Sequence, residues 1–226
     1  LKGEFFMQIE ITALKKSYGE NAVLKDISLT IENGMYGLLG RNGAGKTTFM
    51  RILSTLLKPS AGKITFDHIP LEETKQIRPL IGYLPQEFSL YPDMSVSETM
   101  RYLAAISKIP VEIQRERIVI VSSHIVADIE SVCTNVAVLD SGWLLYAGTI
   151  GQLAEKARGK VYELTIPKDK LETAKQDYYV LSSQGHLSDT KIRVLADSVP
   201  AVGCPAPCVP TAQDGYMELL RLLEAV

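Results

Sequence analysis

Two periods of apolar spacing run along this chain, and the switch from one to the other marks its elements. Residues 8–14 and 23–31 read as strands, and residues 35–39 are a short apolar run that ends at Gly40, as a buried strand would. Helical spacing follows: Phe49, Met50, Leu53, Leu56 and Leu57 share one face, and Pro59 is the predicted stop. Residues 63–66 and 81–84 read as strands. Residues 95–106 read as a helix, with Ser95 as cap and Glu98 three positions on. A buried strand is predicted over 117–121 and a helix over 125–133. Residues 136–139 and 143–147 form two strands around Ser141-Gly142, a hairpin-like pair. A short helix over 149–157 follows. Strands that alternate with helices predict an α/β fold.

The pattern changes near Arg158-Gly159. Short strands are expected over 160–166, 178–183 and 191–195, then a Pro-rich loop over 200–210 and a closing amphipathic helix over 213–225. The predicted organisation is a domain over 7–158 and a small α+β accessory unit over 159–226. There is no internal repeat.

Composition narrows the classes. The chain has 226 residues and is 46% hydrophobic, enough for a sizeable core. Its formal net charge of -2 argues against binding nucleic acid through bulk charge. No apolar run reaches the length of a membrane span, and residues 1–6 do not look like a secretory signal. Three cysteines, an odd and low count, fit a reducing cytosol. Cys204 and Cys208 have the wrong spacing for a redox pair and no second ligand pair nearby, so they are expected to be small residues of a Pro-rich loop.

The chemistry is concentrated in Gly40-Arg41-Asn42-Gly43-Ala44-Gly45-Lys46-Thr47-Thr48, which fits G-x-x-x-x-G-K-[ST] between an apolar strand and an apolar-faced helix. The glycines let the backbone curl so that N–H groups face a phosphate, and the helix N-terminus adds positive potential at the same point. Lys46 would reach the outer phosphates as a point charge, and the Thr47 hydroxyl would serve Mg²⁺. Tyr18, before Gly19, has a ring suited to stacking on a base, worth on the order of 1–3 kcal/mol. Taken singly, Tyr18 and His124 read as ordinary structural residues.

With its ordered neighbours, this loop resembles that of the ATP-binding subunits of ABC transporters. Ser17-Tyr18-Gly19 followed by Val23-Leu24-Lys25-Asp26-Ile27-Ser28-Leu29 resembles the family's opening. Ile81-Gly82-Tyr83-Leu84-Pro85-Gln86 resembles its Q-loop, and Ile118-Val119-Ile120-Val121-Ser122-Ser123-His124 its H-loop. Leu90-Tyr91-Pro92 and Val96-Ser97-Glu98 resemble the segment facing the membrane partner. The likeness covers about residues 8–153. It implies a P-loop NTPase core of ABC type, with antiparallel strands beside a parallel sheet. Tyr18 would stack on adenine, Gln86 would touch Mg²⁺ or the attacking water, and His124 would contact the γ-phosphate. Also implied are ATP and Mg²⁺ as cofactors, a polytopic membrane permease and a second ATP-binding domain (the same chain or another) as partners, and a peripheral place on the cytoplasmic face of the cell membrane. The Leu-Tyr-Pro stretch and the tail lean toward export.

Three family motifs are absent from the sequence: the Leu-Ser-Gly-Gly signature, the apolar strand ending in Asp-Glu, and the Asp-containing loop after it. Residues 106–115 lead almost directly into the H-loop strand, so the break falls between Ser107 and Gln114. Asp140 ends an apolar strand but lies after His124 and is followed by Ser141, so it is not expected to replace the family's Mg²⁺-positioning Asp. Loss of a catalytic base alone slows a reaction by about 10²–10⁴. Loss of the strand leaves buried sheet edges unpaired. Three readings stand: the complete protein carries a segment here and is an ABC ATPase, it lacks the segment and binds nucleotide without turnover, or it is the inert product of a decayed gene.

Overall fold

In a computed structural model, residues 7–83, 118–185 and 188–224 are described. They fall into two compact units. The first takes in the described residues of 1–36, 42–120 and 140–144, and the second those of 37–41, 121–139 and 145–226.

The first unit is built on an antiparallel sheet. Its strands are β1 (Ile9–Tyr18), β2 (Asn21–Ile31), β4 (Ala61–Phe66) and β5 (Ile69–Pro70), in the order β2-β1-β4-β5. Ile9, Ile11 and Leu14 of β1, Leu24 and Ile27 of β2, and Ile64 and Phe66 of β4 fill its core, so the apolar positions of these strands meet on one face. Helix α1 (Lys46–Leu53) buries Phe49, Ile52 and Leu53. A single turn, α2 (Thr74–Ile77), follows β5.

Helix α1 stops four residues before the expected Leu57. The Leu56 N–H donates to the Arg51 carbonyl and the Thr55 N–H to that of Ile52, with Thr55 at φ 59°. This is a Schellman closure with threonine where glycine is usual. It leaves Leu56 exposed, so the apolar spacing overshot the helix. Residues 81–83 belong to no strand, contrary to expectation, and Leu84 lies outside the described residues. So does the predicted helix over 95–106.

The second unit holds most of a four-stranded sheet in the order β6-β3-β7-β8, made of β3 (Gly34–Leu39), β6 (Ile118–Ser123), β7 (Asn135–Asp140) and β8 (Trp143–Thr149). The expected strand near 117–121 forms as β6, but it is not buried: its residues are half-buried or exposed, Val119 among the latter. Among the described residues β6 pairs with β3 alone and ends the sheet. Helix α3 (Val126–Glu130) is shorter than the predicted helix over 125–133. Helix α4 (Ile150–Ala154) starts in a capping box in which the Thr149 hydroxyl accepts from the Gln152 N–H and the Gln152 side chain accepts from the Thr149 N–H.

The later residues add the antiparallel sheet β10-β11-β9-β12, from β9 (Val161–Pro167), β10 (Tyr179–Gly185), β11 (Asp189–Leu195) and β12 (Ala206–Pro207). Helix α5 (Leu171–Asp177), which the apolar pattern does not announce, packs Ala174 against Leu164, Ile166, Ile192 and Val194. The closing helix α6 (Ala212–Glu224) sets Ala212, Tyr216 and Leu220 against Leu39, Val126, Ile129, Val136 and Val138. Gly215 allows the approach, since a Cβ there would overlap the Leu153 carbonyl. Among the described residues no helix is long and apolar enough to cross a membrane.

Candidate functional site

The residues of the phosphate-loop motif adopt the conformation their types predict. Residues 42–45 turn without regular structure, and Gly43 (φ 81°) and Gly45 (φ 100°) take left-handed values that a side chain would strain. Gly45 is the N-cap of α1, and its carbonyl accepts the first helical bond, from the Phe49 N–H at 2.9 Å. No side chain caps this end and its first turn carries no acidic residue, so the helix presents its positive pole beside the loop.

Lys46 opens the helix half-buried, and burial pushes its ammonium below the ordinary value of 10.5. A cation held where its charge is poorly solvated is suited to an anionic ligand. Thr47 is exposed and Thr48 half-buried. These groups fit the phosphates of a nucleotide. For Mg²⁺ the described part of the loop offers the Thr47 hydroxyl, with the remaining positions left to phosphate oxygens and water.

Contacts within the first unit hold residues 44–45. A Cβ on Gly45 would come within 2.7 Å of Leu24 Cδ2 and 3.0 Å of the Val23 carbonyl of β2. The Ala44 carbonyl accepts from the Gly142 N–H at 3.2 Å, and the Gly142 carbonyl accepts from the Lys25 N–H at 2.8 Å. Sequence reasoning found Ser141-Gly142 as a turn but missed this second role. The dipeptide encodes its positive φ values (48° and 85°), whereas its neighbours come from β2 and the loop.

Tyr18 ends β1 exposed, with the Lys16 ammonium 5.1 Å from the ring centroid. Gly40 and Arg41 belong to the second unit. There Gly40 is buried and the Arg41 guanidinium lies 3.3 Å from Glu224 of α6. His124 also belongs to the second unit, exposed in the bend after β6. Ser123 fixes that bend: its hydroxyl accepts from the Ile125 N–H at 3.0 Å and donates to Asp128 at 2.9 Å. Gln86 lies outside the described residues. Asp140 is buried at the end of β7, where it accepts from the Ser141 hydroxyl at 2.9 Å.

Comparison with known proteins decides the family. A family model described as ABC transporter matches residues 24–183. The chain belongs to the ABC transporter family. Similar members of the ABC transporter family include the Nod factor export ATP-binding protein I of Cupriavidus pinatubonensis (strain JMP 134 / LMG 1197), 41% identical over 95 residues, which are 41% of this chain and 29% of that one. The Spermidine/putrescine import ATP-binding protein PotA of Haemophilus influenzae is 33% identical over 111 residues, 49% of this chain and 30% of that one. The chain thus spans about a third of the length of these relatives. Among solved structures, one titled "Structure of ATP binding subunit of ABC transporter" superposes with a TM-score of 0.52 at 18% identity, over 65% of this chain and 92% of that one. The shared fold is that of an ABC nucleotide-binding domain, α/β as the element pattern predicted.

Proposed function

We propose that this chain is the ATP-binding subunit of an ABC transporter, holding the nucleotide's phosphates in the loop of residues 40–48. One observation carries the reading: Gly43 and Gly45 curl the backbone directly into the uncapped N-terminus of α1, where Lys46 stands half-buried. The loop N–H groups and the Lys46 ammonium would bind the phosphates, and the Thr47 hydroxyl would take one position on Mg²⁺. The metal would neutralise charge on the transferred phosphoryl group. Tyr18 would stack on the base, Gln86 would touch Mg²⁺ or the attacking water, and His124 would contact the terminal phosphate. Residues 7–158 are the ATP-binding domain in this reading and 159–226 an accessory region. The partners are a separate membrane permease and a second ATP-binding domain, at the cytoplasmic face of the membrane. Export is favoured by Leu90-Tyr91-Pro92 and by the tail.

A second reading, nucleotide binding without hydrolysis, has its own support. The sequence has no apolar strand ending in Asp-Glu, whose carboxylates in the family position Mg²⁺ and polarise the attacking water. Titration with ATP tests the first claim: saturable binding by the wild-type chain that disappears in Lys46→Ala is the expected result, and equal affinity in both overturns it. Steady-state release of phosphate separates the two readings.

A further inference from the structure

In the first unit, three segments distant in sequence meet at residues 23–25, 44–45 and 142. Lys25 donates its N–H to the Gly142 carbonyl at 2.8 Å, and Gly142 donates its own N–H to the Ala44 carbonyl at 3.2 Å. The Val23 carbonyl lies against both glycines: a Cβ on Gly142 would overlap it, and a Cβ on Gly45 would stand 3.0 Å away. The Lys25 ammonium lies 5.9 Å from the Trp143 ring centroid, a further link between β2 and the hairpin. All these residues belong to the first unit.

The geometry points to Gly142 as a positioning residue for the phosphate loop. In a trans peptide the C=O and N–H point in opposite directions. With the Ala44 carbonyl turned toward Gly142, the N–H of Gly45 in the same peptide plane is turned away from the hairpin. A loop that encloses a phosphate needs its donors aimed inward before the ligand arrives. The hairpin therefore selects one orientation of the Ala44-Gly45 peptide, and β2 supports the hairpin from behind. Only glycine suits the position, because φ is 85° and there is no room for a Cβ beside Val23. This role rests on the nucleotide reading above, but the latch itself is a property of the ligand-free chain.

The test compares the wild-type chain with Gly142→Ala, with a variant carrying one extra glycine inserted after Gly142, and with Gly34→Ala. Gly34 also has a positive φ (130°) in the same unit, but a Cβ there meets nothing within 4 Å, so it reports backbone strain alone. Two quantities are measured below the melting temperature: affinity for trinitrophenyl-ATP, and amide hydrogen exchange of residues 42–48 without ligand. Both hairpin variants are expected to bind at least about fivefold more weakly, the order of one lost hydrogen bond. They should also exchange faster in 42–48 while exchange in α6 is unchanged, and Gly34→Ala should match wild type in both measurements. Wild-type affinity and exchange in a folded hairpin variant overturns the inference, as does an equal effect of Gly34→Ala. If both hairpin variants fail to fold while Gly34→Ala folds, Gly142 is structural and the inference falls. If the wild-type chain does not bind the probe, the nucleotide reading fails, and the exchange data alone decide the latch.

Discussion

At the scale of single residues, the proposed phosphate site rests on backbone conformation and one cation. Gly45→Ala is expected to weaken ATP binding at least about tenfold, because the methyl group meets Leu24 and Val23 at a strained φ. Isothermal titration checks it, and wild-type affinity would contradict it. A second group of residues governs response to acid. Arg221 makes a bidentate contact with Asp197 at 2.8 and 2.9 Å and a second contact with Glu218. Hydrogen bonds from Arg221 hold the Asp197 carboxyl at about 2, below its ordinary 3.8. Burial alone would raise Glu218, but hydrogen bonds from Arg221 and Lys160 outweigh it and the net shift is downward. Burial would likewise raise Asp214, but Arg193 and Thr211 lower it. A folded value below the unfolded one means that the unfolded chain binds more protons in this range. The stabilisation is therefore complete above the ordinary carboxylate range and is lost as pH falls from 3.8 toward 2. Asp197→Asn should lower the melting temperature at neutral pH and flatten its fall across that window by the same amount, both modestly since Asp197 is exposed. An unchanged acid limb would remove Asp197 from the explanation.

At the scale of elements, most of the strands follow from their own sequence. The pair β7 and β8 needs only two short apolar runs and a two-residue turn whose φ values are both positive, as Ser-Gly permits. Helix α4 needs only its capping box, and Thr149→Ala should cost about 1 kcal/mol in a urea titration. Helix α1 shows where local reading stops. Its apolar spacing runs on to Leu57, but the Thr55 closure ends it at Leu53. Helix α5 shows the opposite error, because only Ala174 is buried and the helix gains its stability from the sheet beneath it. Helix α6 is tertiary in its importance. Leu220→Ala should destabilise the chain by about 2–5 kcal/mol, since Leu220 lies among the residues packed around Leu39. Equilibrium denaturation measures this, and a loss below about 1 kcal/mol would mean the site collapses around the gap.

At the scale of the whole molecule, what the sequence lacks bears on turnover, and β6, at the end of the described sheet, is half-exposed where the residue types predicted burial. The strand that carries the family's Asp-Glu pair is missing from the sequence. Phosphoryl transfer depends on positioning and charge stabilisation, so the loss falls on the chemical step more than on binding. Steady-state ATP hydrolysis by a chain of verified mass is expected to lie about 10²–10⁴ below that of a complete relative, with binding retained. Turnover equal to such a relative would refute the reading without hydrolysis.

The sequence alone determined the family resemblance, the α/β class, most strand positions and the residue types of the phosphate loop. These are local properties: period, turn chemistry, and a contiguous motif whose glycines carry their own backbone preference. It did not reveal that Gly142 supports Ala44, that Arg41 meets Glu224, or that β6 ends the described sheet. Those depend on which segments meet, and two glycines that share the Val23 carbonyl are almost a hundred positions apart. Only tertiary packing sets that distance, and so only the structure showed that a turn dipeptide bonds to the glycine-rich loop.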